Sequence, residues 1–371
     1  MWTVEFDTKG FPDLKALYTR IGKPDHVQLL VANQFKHNYN QVSRAEMYAF
    51  MKRHLKLDGA PVAERDFEFS TKEDLTVWTA EHPAPAGDKA GKAHEAALMK
   101  KWAELSDAIV KPLLSPKNEN QLAEAMLLVG GAWRMMVGRE LPEAGQVEVR
   151  AQPAGADGWA AALRNQRGET VALSGSLPQA WNGTVVIHAG TNPAALEEGA
   201  WGIVVTPYLA GASENPCVKE ETKAEIDSWK AWSGYTYGYN PPLLIRRVHD
   251  LLTVLAALPK LKEAAGLKAG FKEVTLHGDD DMAAVQALAA LIAGPDLVQG
   301  LVVRPNGFRF AKLTSQWDTA FVPGAVKYGD LPALLGLCAP IRLTVEGERR
   351  MRQVEAMYEA AGAIGEVIWT E

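Results

Sequence analysis

Cysteine is scarce: Cys217 and Cys338 are the two in 371 residues, far apart in the chain. Two isolated thiols build neither a metal knot nor a CxxC redox pair, so metal and dithiol chemistry are set aside and both are read as small buried side chains. An excess of positive charge is missing too. Lys and Arg number 39 against 45 Asp and Glu, a net charge of −6, with the signs interspersed. No basic stripe is left to follow a phosphate backbone, which speaks against nucleic acid as a partner. No apolar run reaches the ~18 residues that cross a bilayer. The first residues, MWTVEFDTKG, lack a basic segment followed by an apolar one, so they carry no export address.

What is present is the apolar content of an ordinary globular chain, 47% hydrophobic. The length gives room for about two domains of roughly 150 residues each. Residues 11–21 set Leu14, Leu17, Tyr18 and Ile21 on one helical stripe behind Pro12. Residues 26–32, HVQLLVA, form the continuous apolar run expected of a buried strand. A polar loop, NQFKHNYN, carries His37 to a helix over 44–57. Proline, glycine and charge then mark a linker, broken by one short predicted strand, LTVW at 75–78. Two helices follow, over 93–109 (Leu98, Trp102, Leu105, Ile109) and 120–136 (Leu122, Met126, Leu127, Val129). They read as a connector anchored in a core by Trp102 and Trp133.

From residue 145 strands begin, the first ones antiparallel, with a turn at 165–168. Strands are predicted at 184–188, 201–206, 301–303, 341–345 and 366–369, and helices at 240–258, 332–337 and 349–361. The helix at 240–258 takes Asn240 as its N-cap, with prolines in the first turn. Strands alternating with helices imply a mainly parallel sheet with helices on both faces. The domains divide as 1–57, 58–142 and 143–371.

The most informative stretch is FKEVTLHGDDDMAAVQALAALIAG, residues 271–294: a strand, a sharp turn of three acids, then a helix. That is the geometry of the nucleophile elbow of α/β-hydrolases, G-x-S-x-G. Gly278 matches the first glycine, Asp280 falls at the nucleophile position, and Met282 stands where the second glycine belongs. The serine is missing. The helix, strand, His37 loop and helix at the N-terminus have the order in which such a domain closes, with its histidine after the last strand.

With both halves read, the chain resembles the C-terminal portion of bacterial tandem α/β-hydrolase proteins of the acetylxylan-esterase-like or prolyl-oligopeptidase-like kind. The matching stretches are KHNYNQVSRAEMY (36–48), LTVWTAEHPAPAG (75–87), YTYGYNPPLLIRRVHDLLT (235–253), RPNGFRF (304–310) and FVPGAVKYGDLPALLGLCAP (321–340). The resemblance implies a parent that cleaves carboxylic esters, on carbohydrate, and acts outside the cell. In it 1–57 would end a first, active hydrolase domain whose histidine is His37, and 143–371 would be a second, degenerate one. No cofactor or metal is implied. The ligand would be a carbohydrate or a small ester, and a second copy could pair through the orphan strand 26–32.

Each candidate has a plainer reading beside it. The acids at 279–281 favour the start of a helix and cap it; Asp280 as an aspartate nucleophile would need a histidine to activate water, which His37 alone could provide. His188 and Gly190 occupy the place of an oxyanion-hole loop and are read as its remnant. Glu346 ends a strand near where the acid of a triad belongs. Ser174 and Ser176 follow an early strand and are given to a turn. Asp250 is read as a helix-surface or packing hydrogen-bond partner, His277 as a strand residue, and Trp229, Trp232, Tyr235, Tyr237 and Tyr239 as a packed aromatic loop rather than a sugar platform.

Overall fold

Alternating and continuous apolar runs become two kinds of strand. The computed structural model describes residues 5–152, 158–190, 196–210 and 237–371, and divides the chain into two units, 1–86 and 87–371. Among the described residues no helix is long and apolar enough to cross a membrane.

In the first unit lie α1 (Phe6–Lys9), α2 (Phe11–Arg20) and α3 (Gln41–His54). Asn40 caps α3, its Oδ1 accepting from Ser43 N at 3.2 Å. Arg44 and Tyr48 of α3 both donate to Glu64, at 2.8 and 3.0 Å, and the guanidinium holds that carboxyl down at about 2. The strand expected over 26–32 does not form. Pro24–His26 is a single 3-10 turn, and the chain after it makes no ladder and leaves Leu30 and Val31 exposed. A strand needs a neighbour for its N–H and C=O groups, and the described sheet lies wholly in the second unit. The LTVW strand at 75–78 is also absent. Thr71 N and Oγ1 both donate to the Asp74 carboxylate, at 2.9 and 2.8 Å, closing a turn over its first residue.

The second unit opens with α4 (Gly91–Leu113), α5 (Glu119–Ala125), a π-turn over Met126–Gly130 and α6 (Gly131–Val137). Trp133 is the core anchor expected of it: fully buried, its Nε1 donates to Tyr328 O at 3.3 Å. Trp102 is not. It is 66% exposed, and Leu98, Leu105 and Ile109 share its exposure, because α4 reaches the core only near its end, at Val110 and Leu113, with Leu114 just after it.

The sheet runs β1 (Val147–Gln152), β2 (Trp159–Asn165), β3 (Thr170–Ser176), β4 (Thr184–Ala189), β5 (Trp201–Thr206), β6 (Glu273–Asp279), β7 (Gly300–Arg304), β8 (Arg342–Glu346) and β9 (Val367–Thr370). In space the order is β1-β2-β3-β5-β4-β6-β7-β8-β9. Pairings from β1 to β3 and of β3 with β5 are antiparallel, and the rest are parallel. With β1 set aside as an added edge strand, this is the α/β-hydrolase order, with one early antiparallel strand and one exchanged pair. Burial follows pairing. β3 alternates buried and exposed, whereas β4 is buried over nearly its whole length. Ser174 and Ser176 lie within β3, not in a turn, because Ser174 pairs with Val204 and Ser176 with Gly202.

Helices α7 (Leu243–Ala264), α8 (Met282–Ala293), α9 (Asp330–Gly336) and α10 (Arg352–Ala360) pack in series, α7 and α8 directly on strands. α7 is apolar on nearly every side and buried on nearly every side. Its N-cap is Pro242, not Asn240, so the helix starts after the second proline rather than before the first. Cys338 is buried as expected, while Cys217, Trp229, Trp232 and Tyr235 lie outside the described residues. Tyr237 stacks on Trp317 and donates to Gln316 O at 2.5 Å, whereas Tyr239 is largely exposed.

Candidate functional site at the switch point of the sheet

β4 lies between β5 and β6, so the chain crosses to one side after β4 and returns to the other for β6. In open α/β sheets the crevice at the carboxyl ends of two such strands is where ligands bind. The residues that reach it are the ends of β4 and β6, where His188 sits beside His277 in register. Two residues on, Asp279 pairs with Arg304 of β7.

The turn after β6 has the elbow's backbone. Asp280 takes φ +51°, a conformation an L side chain rarely adopts, and its N–H donates to Arg304 O at 2.9 Å. Gly278 is required: a Cβ there would stand 2.6 Å from Met282 O. Met282 at the second glycine's place is tolerated as the first residue of α8.

Each of the three acids has its own partner. Asp279 lies 3.4 Å from Arg304 Nη1 and 3.9 Å from His188 Nε2. Asp280 Oδ1 accepts from Asn306 Nδ2 at 2.9 Å. Asp281, the N-cap of α8, pairs with Arg247 of α7 at 3.1 Å. Arg304 also donates to Glu346 at 2.7 Å, so Glu346, Arg304 and Asp279 form one row across three strand ends. Glu346, at the place where the acid of a triad belongs, is thus held by an arginine. Gly190 has φ +126° and its N–H donates to Val205 O at 3.2 Å, so that donor is already engaged.

His188 is 5% exposed and His277 half-buried. Burial lowers both their pKa values, His277 to about 4, and the two rings, side by side, add to the effect at His277. Both are therefore neutral near pH 7. His37, in the first unit, is exposed on a bend and lines a cavity of about 310 Å³ with Asp7, Phe35 and Ser43. Among the described residues its side chain makes no hydrogen bond, and Ser43 Oγ is turned toward Asn40 Oδ1 at 3.5 Å. No group of three or more His, Cys, Asp or Glu among the described residues could hold a metal.

Three residues that sequence reading passed over prove central. Arg247, Arg304 and Asn306 each hold one of the acids. Only Asn306, in an Asn-Gly turn, carried a local signal. Backbone conformation at Asp280 gives a direct test of its role. Left-handed conformation costs a non-glycine residue about 1 kcal/mol, and the exposed contact to Asn306 returns less. Asp280→Gly is thus expected to raise stability to urea by about 0.5–1 kcal/mol. A loss would mean that the Asn306 contact outweighs the strain.

No family model matches the sequence, and no curated protein matches it as a relative. Solved structures similar to it include acetyl xylan esterases and glucuronoyl esterases, all at low identity. A glucuronoyl esterase from Sporotrichum thermophile is 12% identical, with 69% of this chain and 78% of that one covered and a TM-score of 0.45. The glucuronoyl esterase catalytic domain from Hypocrea jecorina is 14% identical, over 68% and 76%, with a TM-score of 0.41. Acetyl xylan esterase 1 from Thermoanaerobacterium sp. JW/SL YS485 is 11% identical, over 69% and 87%, with a TM-score of 0.34. The α/β-hydrolase-like fold of residues 147–370 rests on its own strand order and elbow, not on these likenesses.

Proposed function

We propose that residues 143–371 are a degenerate ester-hydrolase domain that serves as a scaffold or binding module, and that 1–57 close an upstream hydrolase domain, with 58–142 as linker and connector. The observation that carries this reading is the tip of the elbow. Where a serine would be activated by a histidine, Asp280 is held by the Asn306 amide. An ester hydrolase needs a nucleophile, a base within about 3 Å of it or of one bridging water, and a free oxyanion donor. Near the elbow the histidines are strand residues, the acid Glu346 is bound to Arg304, and Gly190 N–H is engaged. The ligand class that fits the parent is a carbohydrate or a small carboxylic ester.

The test is hydrolysis of p-nitrophenyl acetate by the purified chain beside His37→Ala and Asp280→Ala. All three are expected to match buffer while circular dichroism shows them folded. Turnover by the wild type that either substitution abolishes would instead establish an aspartate-nucleophile hydrolase working through Asp280 and His37, and end the scaffold reading.

A further inference from the structure

The apolar residues of α4 repeat at intervals of four, three and four: Leu98, Trp102, Leu105 and Ile109. That is the a/d spacing of two heptads, so the four lie on one face of the helix, with Met99 at its border. All five side chains are between 42% and 70% exposed. The core takes a different side of α4. Val110 stands about 100° round the axis from Ile109, and it is buried, with Leu113 and Leu114 following it into the core. The last turn is thus anchored, while from Gly91 to Leu105 every residue but His94 is exposed. Most helical stability in proteins comes from packing an amphipathic face, and this face is left wet.

Charge on the helix is divided along its axis. Lys92, Lys100 and Lys101 outnumber Glu95 in the first half, whereas Glu104 and Asp107 outnumber Lys111 in the second. Two parallel copies would set lysines against lysines. Antiparallel copies set each half against its opposite and align the helix dipoles head to tail. The seam allows this, because a spacing of four, three and four reads the same in both directions. A twofold axis between Ala103 and Glu104 stacks Leu98 of one copy on Ile109 of the other, and Trp102 on Leu105, in four layers. Lys101, beside the seam, then comes within a turn of Glu104 of the second copy. Glu104 is available to it: its own contact with Lys100 is exposed and long, at 3.9 Å.

We propose that α4 is an assembly surface through which two copies of the chain pair as an antiparallel two-helix seam. At about 150–250 Å² for a large side chain, the five exposed fractions come to roughly 500 Å² per copy. The pair then buries about 1,000 Å², the size at which a contact between proteins becomes specific. The ester-hydrolase reading has no bearing on this seam, since no residue of the elbow or of the strand ends takes part in it.

The test is the mass of the whole chain, read by light scattering on a size-exclusion column. At about 100 µM, a hundredfold above a micromolar dissociation constant, the wild type is expected at twice the chain mass. Trp102→Glu and Leu105→Glu change exposed positions, so each should stay folded by near-ultraviolet circular dichroism and run at the mass of one chain. Lys101→Glu and Glu104→Lys should each weaken the dimer by about fivefold, as two exposed ion pairs turn repulsive. The double variant restores both pairs and should return to the wild-type dissociation constant. A wild type that runs as one copy, or as three or more, overturns the proposal. So does a dimer that persists in both Trp102→Glu and Leu105→Glu, because its contact then lies elsewhere. Loss of the dimer in both charge variants without recovery in the double one overturns the antiparallel seam.

Discussion

Replacing Arg247 with methionine is expected to lower the unfolding free energy by about 3 kcal/mol. Arg247 is 5% exposed and holds three acceptors: Asp281 Oδ2 at 3.1 Å, Tyr208 O at 3.4 Å and Leu209 O at 3.3 Å. It thus ties the segment after β5 to the turn after β6. Burial lowers the pKa of the guanidinium and raises that of the Asp281 carboxyl, in both cases as the largest cause. The two shifts agree that desolvation outweighs the mutual attraction. Such a pair adds little over apolar residues of its own size, but removing one partner leaves a charge stranded. Asp281 keeps a quarter of its side-chain surface in water, which puts the loss at the low end of the range for broken buried pairs. Urea unfolding of Arg247→Met, Asp281→Asn and the double variant measures it. The double variant should be more stable than Arg247→Met by at least about 1 kcal/mol, since it strands no charge. A cost below about 1 kcal/mol for Arg247→Met would show that Asp281 is served by solvent.

The second large effect is on the pH dependence of stability. Asp250 is buried on α7, where it accepts from Tyr208 N at 2.7 Å, and burial raises its pKa to about 7. His249 beside it is equally buried and lowered to about 4, by burial first, although its Nε2 lies 2.7 Å from Val137 O. His277 is lowered to about 4 and His188 is lowered in the same sense.

For each histidine the unfolded chain binds the proton at a higher pH than the fold does. Their contribution is present above about pH 6.5 and is lost as pH falls, toward 4 for His249 and His277. For Asp250 the fold binds the proton at the higher pH. Its contribution is present below about pH 4 and is lost as pH rises toward 7. Three histidines against two raised carboxyls, Asp250 and Asp281, make stability rise from pH 4 to about 6.5, above which only the carboxyl losses continue. A maximum near pH 6.5 is expected, with the steeper side acid.

Asp250→Asn keeps an acceptor for Tyr208 N and cannot ionise. At pH 8 it is expected to be more stable than the wild type by about 1–3 kcal/mol, and at pH 4 by almost nothing. Thermal unfolding at the two pH values is sufficient. An equal effect at both would mean that Asp250 is ionised in the fold throughout.

Much of this architecture was legible in the sequence. The TVVIH and WGIVVT runs gave β4 and β5, and the turn at 165–168 gave the hairpin of β2 and β3. Gly278 with three acids and an alanine-rich run gave the elbow. These signals are local: hydrophobic period and turn chemistry act over a few residues and need no distant partner. Errors fell where a partner was needed. HVQLLVA has the composition of a buried strand, yet no described strand borders it. The α4 stripe has the spacing of a packed face, yet only Val110, Leu113 and Leu114 at its end reach the core.

Sequence by itself determined the α/β class, the elements of the sheet and the loss of serine at the elbow, because those follow from side-chain period and residue identity. The tertiary structure alone decided what each acid does. Asp279, Asp280 and Asp281 are indistinguishable in the chain, but their neighbours come from β7, from the Asn306 turn and from α7, between 25 and 35 positions away. A carboxylate's role is set by the charge and donors within a few ångströms of it, and only the sheet's strand order brings those groups together.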